Sequence, residues 1–381
     1  MIERFSLPYS EAADRDLRER LARTRWLDSI SGSGWAYGVN REYLRKLCEY
    51  WREVFIWREQ IERLSLFEHY YFHSRSGRIH FIHERGHGKD PIPLILTHGW
   101  PGSFIEMLKV IPMLTDPDTY GGDAEDSFDV IVPSLPGYGF SEPPFERGMN
   151  TIRIAELWVE LLQELGYGWF AAQGGDWGAY VATALGLHYP HRVRGIHLNH
   201  IPPYQCFGNQ AEASDLERSF FDHVNCWDEE RGAYDHVQRN EPQTLAFGLN
   251  DSPIGLAAWI IDKFRRWSDC EGDLERIFTT DDLLANVTLY WMTGTIGSSM
   301  RLYYEDRCAP LCFNEDDKVR VPCGIAHFPK EAPFPPRHWV ERRYNVQHWT
   351  EMPEGGHFAA LEQPELFVKD LRAFFRFLRL L

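Results

Sequence analysis

The segment with the clearest chemical meaning is residues 173–178, which read Gln-Gly-Gly-Asp-Trp-Gly. It lies between a predicted strand and a predicted helix, as a nucleophile elbow of the form G-x-Nu-x-G does. Gly174 and Gly178 leave room for a sharp turn that lifts Asp176 off the sheet. A carboxylate is anionic at neutral pH without a base, which favours attack on an sp³ carbon to give an alkyl ester. The alternative is that Asp176 only caps the helix.

A second loop could supply hydrogen-bond donors to that ester. Residues 97–103 read Thr-His-Gly-Trp-Pro-Gly-Ser and also lie between a predicted strand and a predicted helix. In folds with a nucleophile elbow, an oxyanion is held by an N–H of this loop and by the N–H after the nucleophile. The candidate donors are therefore the amides of Trp100 and Trp177. The alternative is a Gly-Pro turn in which His98 satisfies neighbouring backbone groups.

A candidate general base lies near the C-terminus. Residues 353–358 read Pro-Glu-Gly-Gly-His-Phe, after the last predicted strand and before the terminal helix, where the base of such folds arrives. The pKa of imidazole lies near operating pH, so His357 could deprotonate a water that attacks an ester. Several other histidines lie in strand-like runs, where we expect structural roles: His80, His83, His197 and His200.

The acid that orients the base should follow the predicted strand Cys323–His327. Glu331 lies just beyond that strand, and its carboxylate would hold the imidazole tautomer and stabilise the imidazolium. The alternative is an exposed loop charge beside Lys330. Glu354 and Asp316 are rival carboxylates, but neither lies directly after the strand.

These residues need a sheet to bring them together. Short apolar strands alternate with helices, which predicts a mostly parallel sheet with helices on both faces. The predicted strands are Leu94–Thr97, Phe128–Val132, Trp169–Gln173, Gly195–Leu198, Cys323–His327 and Val346–Glu351. The predicted helices are Phe104–Leu114, Ile152–Leu165, Trp177–Leu187 and Leu366–Leu378.

Residues outside this core predict two additions to it. Residues 1–88 form an N-terminal extension, and residues 89–200 and 319–381 form the two parts of the core. Residues 201–318 exceed any ordinary connection and predict a helical cap over the sheet. In the extension, periodicity predicts one helix through Leu17, Leu21 and Trp26, a longer one from Leu44 to Leu64, and a hairpin over 70–83.

Composition excludes several classes of protein. The 56 acidic residues outnumber the 40 Lys and Arg, giving a net charge of −16, which argues against a nucleic-acid partner. Apolar runs fall far short of the roughly 20 residues that a membrane helix needs, so we expect no membrane anchor and a cytoplasmic location. The seven cysteines are scattered and predict reduced thiols. No metal or nucleotide motif is present, so we expect no metal and no cofactor.

Together, these motifs resemble the epoxide hydrolases of the α/β-hydrolase superfamily. The resemblance is to the microsomal-type branch with an N-terminal domain, in a soluble, bacterial-like form, and it covers nearly the whole chain. The motifs are residues 21–26, Trp51-Arg52, Phe72-His73, His98-Gly99-Trp100-Pro101, residues 174–178, Tyr290-Trp291, Thr293-Gly294-Thr295, residues 328–331 and Gly355-Gly356-His357. The resemblance implies an α/β-hydrolase fold with a mostly parallel sheet, a helical cap and an N-terminal helical extension.

The resemblance also implies a pair of cap tyrosines that donate a proton to the epoxide oxygen. A phenol, with a pKa of about 10, can protonate a developing alkoxide without being ionised beforehand. By motif, Tyr303 matches the second tyrosine and Tyr234 fits the first, with Tyr204 as a rival. The alternative for any one tyrosine is packing in the core.

The implied activity is hydrolysis of an epoxide to a vicinal diol through an Asp176 ester, which water activated by His357 then cleaves. The partners are a small epoxide and water, and a homodimer is left open. The many aromatic residues suggest a bulky aromatic or natural-product epoxide. The resemblance leaves open a role in antibiotic biosynthesis or in detoxification. The alternatives are a haloalkane dehalogenase, which would use the indoles of Trp100 and Trp177 to bind halide, and a non-catalytic binding protein of this fold.

Overall fold

The computed structural model describes residues 1–202, 214–314 and 316–379. Within these residues, nine strands form one sheet. The strands are β1 (Ile2–Arg4), β2 (His69–Ser74), β3 (Gly77–Glu84), β4 (Ile92–Thr97), β5 (Phe128–Pro133), β6 (Phe170–Gly174), β7 (Val193–Leu198), β8 (Val319–His327) and β9 (Tyr344–Glu351). Their order across the sheet is β1-β2-β3-β5-β4-β6-β7-β8-β9.

The sheet is parallel from β5 to β9 and antiparallel from β1 to β5. Every residue of β4 and β5 is buried, as in parallel strands that are covered on both faces. All six predicted core strands are present, with shifts at their ends. The predicted hairpin of the N-terminal extension is present as β2 and β3. Its pairing with β5 and with β1, which extends the central sheet, was not predicted.

Helices cover both faces of the sheet and its carboxyl edge. The helices are α1 (Glu11–Ala22), α2 (Arg41–Glu53), α3 (Trp57–Leu64), α4 (Val110–Thr115), α5 (Thr151–Glu164), α6 (Trp177–His188), α7 (Asp215–Arg231), α8 (Ala233–Asn240), α9 (Pro242–Asp251), α10 (Pro253–Trp267), α11 (Thr280–Thr293), α12 (Ile296–Cys308), α13 (Arg337–Arg343), α14 (Ala359–Glu362) and α15 (Pro364–Arg379). We call α7 to α12 the cap helices. Among the described residues, no helix combines the length and apolar character needed to cross a bilayer.

Three helix predictions are wrong in their bounds. The predicted helix from Leu44 to Leu64 is two helices, because the chain turns between α2 and α3. At this turn the Arg18 guanidinium donates to the backbone oxygens of Arg52 and Phe55, a tertiary contact that periodicity does not reveal. Likewise, α1 ends before Trp26. The predicted helix Phe104–Leu114 is a short 3₁₀ turn followed by α4.

The N-terminal helices brace the cap helices. Arg20 of α1 donates to the backbone oxygen of Asp251 at 2.9 Å, and the Tyr50 hydroxyl of α2 donates to Asp281 at 3.0 Å. Helices α1 and α2 also pack against α10, and α3 packs against α11. The extension therefore contacts both the sheet and the cap helices.

One buried histidine of the extension should make stability depend on pH. Burial and the nearby Arg85 charge lower the pKa of His83 to about 4, whereas an unfolded histidine titrates near 6.5. Between about pH 6.5 and pH 4 the unfolded chain therefore binds a proton at His83 that the folded chain does not bind. His83→Gln removes this penalty, so its free energy of unfolding relative to the native protein should rise by about 2 kcal/mol between pH 8 and pH 5.

Urea unfolding of both proteins at the two pH values measures this difference. His191→Gln, at an exposed position, is the matched control and should show no such change. A constant difference between His83→Gln and the native protein at both pH values would contradict the expectation.

Candidate active site

Asp176 occupies a sharp turn between β6 and α6. Its φ of 47° and ψ of −128° are unusual for a residue other than glycine, and such strain is common at functional positions. A Cβ on Gly178 would lie 1.9 Å from the Thr97 carbonyl oxygen, and one on Gly174 would lie 2.0 Å from that of Gly178. Only glycine fits these two positions. The Asp176 side chain makes no capping hydrogen bond to α6, so the helix-cap alternative is wrong.

The loop after β4 holds one oxygen of this carboxylate. The Trp100 amide donates to Asp176 Oδ1 at 2.7 Å, and Trp177 is the first residue of α6, where amides lack partners within the helix. Burial lowers the pKa of His98 to about 4, so its ring is neutral, and its Nε2 accepts from the Leu135 amide at 3.2 Å. His98 thereby ties this loop to the one that follows β5.

The candidate base lies next to the other carboxylate oxygen of Asp176, and the candidate acid contacts the base. His357 Nε2 lies 3.4 Å from Asp176 Oδ2, and His357 Nδ1 lies 2.8 Å from Glu331 Oε1. The Ala332 amide donates to the same Glu331 oxygen at 2.7 Å, which fixes that carboxylate. Asp176, His357 and Glu331 therefore form a continuous chain of polar contacts.

The charges in this chain stabilise one another. Burial opposes the charged form of Glu331, but the His357 and His200 rings outweigh it, so the pKa of Glu331 falls below its usual range. Burial likewise opposes the imidazolium of His357, but Glu331 and Asp176 raise its pKa well above the usual value. With both carboxylates charged, His357 is held as a cation.

The backbone around His357 is held by the cap helices. The His357 amide donates to the Trp267 carbonyl oxygen at 2.9 Å, at the end of α10. The Gly355 amide donates to Asp269 Oδ2 at 3.0 Å. A Cβ on Gly356 would lie 2.6 Å from the same Trp267 oxygen, so the two backbones are in close contact. The position of the base therefore depends on α10.

Tyr234 of α8 and Tyr303 of α12 lie close to the elbow. The Tyr234 ring stacks on the Trp100 ring, with centroids 5.4 Å apart and an interplanar angle of 4°. The Tyr303 ring meets the Trp177 ring edge-on at 4.7 Å, and the two tyrosine rings are 6.0 Å apart. Burial is the largest cause that raises the pKa of both phenols, which are therefore protonated at neutral pH.

A cavity of about 330 Å³ lies between the elbow and the cap helices. Its walls include Asp176, His357, Trp177, Tyr234 and Tyr303, but neither Trp100 nor Glu331. Aromatic rings of Tyr180, Trp227 and Trp267 also line it. Ligand pockets are typically about 300–1,000 Å³ and largely apolar, so this cavity suits a mainly apolar small molecule.

The rival residues are placed elsewhere. Glu354 and Asp316 are both exposed. Tyr204 lies outside the described residues. His200, expected to be structural, lies 3.4 Å from Glu331 Oε1 and lines the cavity. In the described parts of the chain, no group of three or more His, Cys, Asp or Glu side chains is arranged to hold a metal ion.

Comparisons with known proteins identify the family of this chain. The family described as "Epoxide hydrolase N terminus" matches residues 2–107, and the "alpha/beta hydrolase fold" family matches residues 92–247. A putative epoxide hydrolase of Stigmatella aurantiaca is 43% identical over 98% of this chain and 85% of that protein. The chain belongs to the epoxide hydrolases. Epoxide hydrolase 1 of Oryctolagus cuniculus is 38% identical over 98% of this chain and 88% of the rabbit protein.

Solved structures of epoxide hydrolases share the whole fold. The juvenile hormone epoxide hydrolase of the silkworm Bombyx mori has a TM-score of 0.86 and 31% identity, covering 100% of this chain and 95% of that one. The chain is therefore an epoxide hydrolase of the α/β-hydrolase fold. These three relatives favour neither a haloalkane dehalogenase nor a non-catalytic binding protein.

Two carboxylates near the base of this epoxide hydrolase were missed from the sequence. Glu106, in the 3₁₀ turn after β4, lines a second cavity of about 20 Å³ beside Asp176 and His357, and burial raises its pKa to about 8. Glu362 accepts from the Asp269 and Phe358 amides, each at 2.8 Å, and burial raises its pKa to about 7. A glutamate in an otherwise apolar segment was the sequence signal for both.

Proposed function

We propose that Asp176 Oδ2 attacks an epoxide carbon and forms a covalent ester. The observation that carries this proposal is the placement of the two carboxylate oxygens. Oδ1 accepts from the Trp100 amide at 2.7 Å, while Oδ2 is the oxygen nearer to His357. Oδ1 is held by the short Trp100 contact and stays as the carbonyl oxygen of the ester, whereas the contact of Oδ2 with His357 Nε2 is longer, at 3.4 Å, so Oδ2 forms the C–O bond. The epoxide C–O bond breaks and its electron pair stays on the oxygen.

Tyr234 and Tyr303 donate the hydrogen bonds, and then a proton, that the departing oxygen needs. Both rings line the cavity, and both phenols carry raised pKa values, so the proton is present when the substrate binds. A neutral donor avoids leaving a buried phenolate in the free enzyme. The product of this step is a hydroxyalkyl ester of Asp176.

Ester formation would itself prepare His357 for the second step. The Asp176 charge is one of the causes that raise the pKa of His357. An ester is neutral, so this attraction disappears, and the imidazolium releases the proton that restores the phenol which protonated the epoxide oxygen. Neutral His357, oriented by Glu331, then deprotonates the water that attacks the ester carbon. The oxyanion on Oδ1 is held by the Trp100 and Trp177 amides.

The small cavity beside Glu106 is suited to that water. Its volume of about 20 Å³ is enough for one molecule, and its walls include Asp176, His357 and Glu106. With its pKa raised to about 8, Glu106 is largely protonated at neutral pH and can donate to a water oxygen or to an adjacent acceptor. Water would therefore approach Asp176 from this cavity, which shares only Asp176 and His357 with the lining of the larger cavity.

The substrate class that we propose is an aryl or similarly bulky, apolar epoxide. The larger cavity presents aromatic rings around Asp176. Charged side chains, among them Asp228 and Arg231, also line this cavity, so a substrate with a polar end is accommodated there. The cytoplasmic location, the homodimer and the role in biosynthesis or detoxification remain predictions.

A single turnover in heavy-oxygen water tests the covalent mechanism. With enzyme in excess over styrene oxide, the diol should contain no solvent oxygen, because its new hydroxyl comes from Asp176 Oδ2. The solvent label should instead appear in the peptide that contains Asp176, as measured by mass spectrometry. Under multiple turnovers the diol should become labelled, which is the internal control. Labelled diol in the first turnover would overturn the proposal in favour of direct attack by water.

A further inference from the structure

Lys263 of α10 is a buried lysine whose charge lies against two aromatic rings. Its relative exposure is 7%, and lysine is almost never buried unless its charge is paired. Its Nζ donates to Asp262 Oδ2 at 2.6 Å and lies 4.9 Å from the centre of the Trp259 ring. The same Nζ lies 5.6 Å from the centre of the Tyr234 ring. Both ring distances fall within the roughly 6 Å range of a cation–π interaction.

Other groups around Tyr234 make its phenol a weaker acid. Burial is the largest cause that raises its pKa, followed by the charges of Asp235 and Asp176. Asp235 is on the same helix and pairs with Arg239 at 2.6 Å. Lys263, from the neighbouring helix, brings a positive charge against the same ring. The phenol therefore lies between carboxylates that oppose its ionisation and one ammonium group that favours it.

A cation next to the ring favours loss of the phenolic proton. A neutral phenol attracts the ammonium through its quadrupole, but the ring of a phenolate carries a full negative charge and attracts it more strongly. During ring opening the phenol gives up its proton to the epoxide oxygen and gains partial phenolate character. An interaction that strengthens as this charge develops lowers the barrier.

We propose that Lys263 acts through Tyr234 and makes it a stronger proton donor during epoxide opening. The proposal rests on the function proposed for Tyr234. Lys263 is a positioning residue, because Tyr234 lines the large cavity and Lys263 is not part of its wall. Removing Lys263 does not leave the Asp262 carboxylate without a donor, because Asp262 also accepts from Arg266 Nε at 3.1 Å.

The test measures the rate of ester formation in single turnovers of the full-length enzyme. The variants are Lys263→Met, Lys263→Gln, Lys263→Arg and Tyr234→Phe, and the combination of Lys263→Met with Tyr234→Phe. Lys369→Met, at an exposed position on α15, is the matched control. The substrates are propylene oxide and its trifluoromethyl analogue, whose alkoxide is much less basic and needs less help from a proton donor.

With propylene oxide, Lys263→Met and Lys263→Gln should each slow ester formation about tenfold, and Lys263→Arg should restore most of the rate. The loss should be much smaller with the trifluoromethyl epoxide. In the Tyr234→Phe background, Lys263→Met should have no further effect. A structural defect would instead slow both epoxides equally and would persist without the phenol.

Three results would overturn the proposal, and they have different meanings. If Tyr234→Phe slows ester formation but Lys263→Met slows it as much again in that background, Lys263 does not act through Tyr234. If Tyr234→Phe leaves the rate unchanged, the role proposed for Tyr234 fails as well. Equal losses with the two epoxides would also exclude an effect on proton donation.

Discussion

Asp176→Asn should reduce kcat/KM for styrene oxide by at least about 10⁴-fold. The amide has nearly the same shape, and its oxygen can still accept from the Trp100 amide. It carries no charge, however, and is a poor nucleophile towards carbon, so no ester forms. Steady-state diol production measures the rate, and intact-protein mass spectrometry should detect no adduct with the epoxide.

The fold of this variant should survive, since asparagine tolerates the positive φ at the elbow at least as well as aspartate. Asp316→Asn is a matched control, because Asp316 is exposed and lies away from the cavity, and it should retain native activity. If Asp176→Asn kept activity within about tenfold of native, Asp176 would not be the nucleophile.

His357→Gln should separate the two chemical steps. Ester formation requires Asp176 and the tyrosines, so the variant should still react once with styrene oxide. Ester hydrolysis requires the base, so it should slow by about 10³-fold, within the range typical of general-base catalysis. The intact mass of the protein should therefore rise by the mass of one epoxide and stay there while little diol is released.

The combination of His357→Gln with Asp176→Asn identifies the site of the adduct. It should gain no mass, because the nucleophile is gone. Circular dichroism should accompany both measurements to check the fold, because both variants lose the hydrogen bond between Glu331 and the imidazole. Glu331 keeps its hydrogen bond from the Ala332 amide. A His357→Gln protein that is folded and either forms no adduct or releases diol at the native rate would contradict the assigned role.

Most of the candidate site could be predicted because its residues follow strands. Trp100, Asp176 and Glu331 each come just after a strand of the parallel part of the sheet, and His357 follows β9. The carboxyl ends of parallel strands meet at one edge, so spacing along the chain is enough to expect these residues to be neighbours. Glycines at 174 and 178 add a steric requirement that few other arrangements share.

The cap tyrosines and the missed carboxylates depend on packing between helices. Tyr234 and Tyr303 come from α8 and α12, and nothing in their spacing reveals that both rings meet the Trp100 loop. Glu106 and Glu362 lie in helical turns, where a glutamate is ordinarily exposed. The burial of Glu362 arises only when the segment after α10 meets the His357 loop, because Glu362 accepts from the Asp269 and Phe358 amides. Likewise, the turn between α2 and α3 depends on Arg18, which is distant in sequence.

The contact between residues 267–269 and residues 355–357 limits how segments of this enzyme could be exchanged with those of a relative. Substrate range could be altered by grafting a cap from a relative, while the sheet and the candidate residues Asp176, His357 and Glu331 are retained. Such a graft would also replace two hydrogen-bond acceptors. The Trp267 carbonyl oxygen accepts from the His357 amide, and the Asp269 carboxylate accepts from the Gly355 amide. Chimaeras should therefore exchange both segments as one unit, with glycine kept at position 356. Breakpoints that separate the segments should give proteins that bind epoxides and form the ester but release diol slowly.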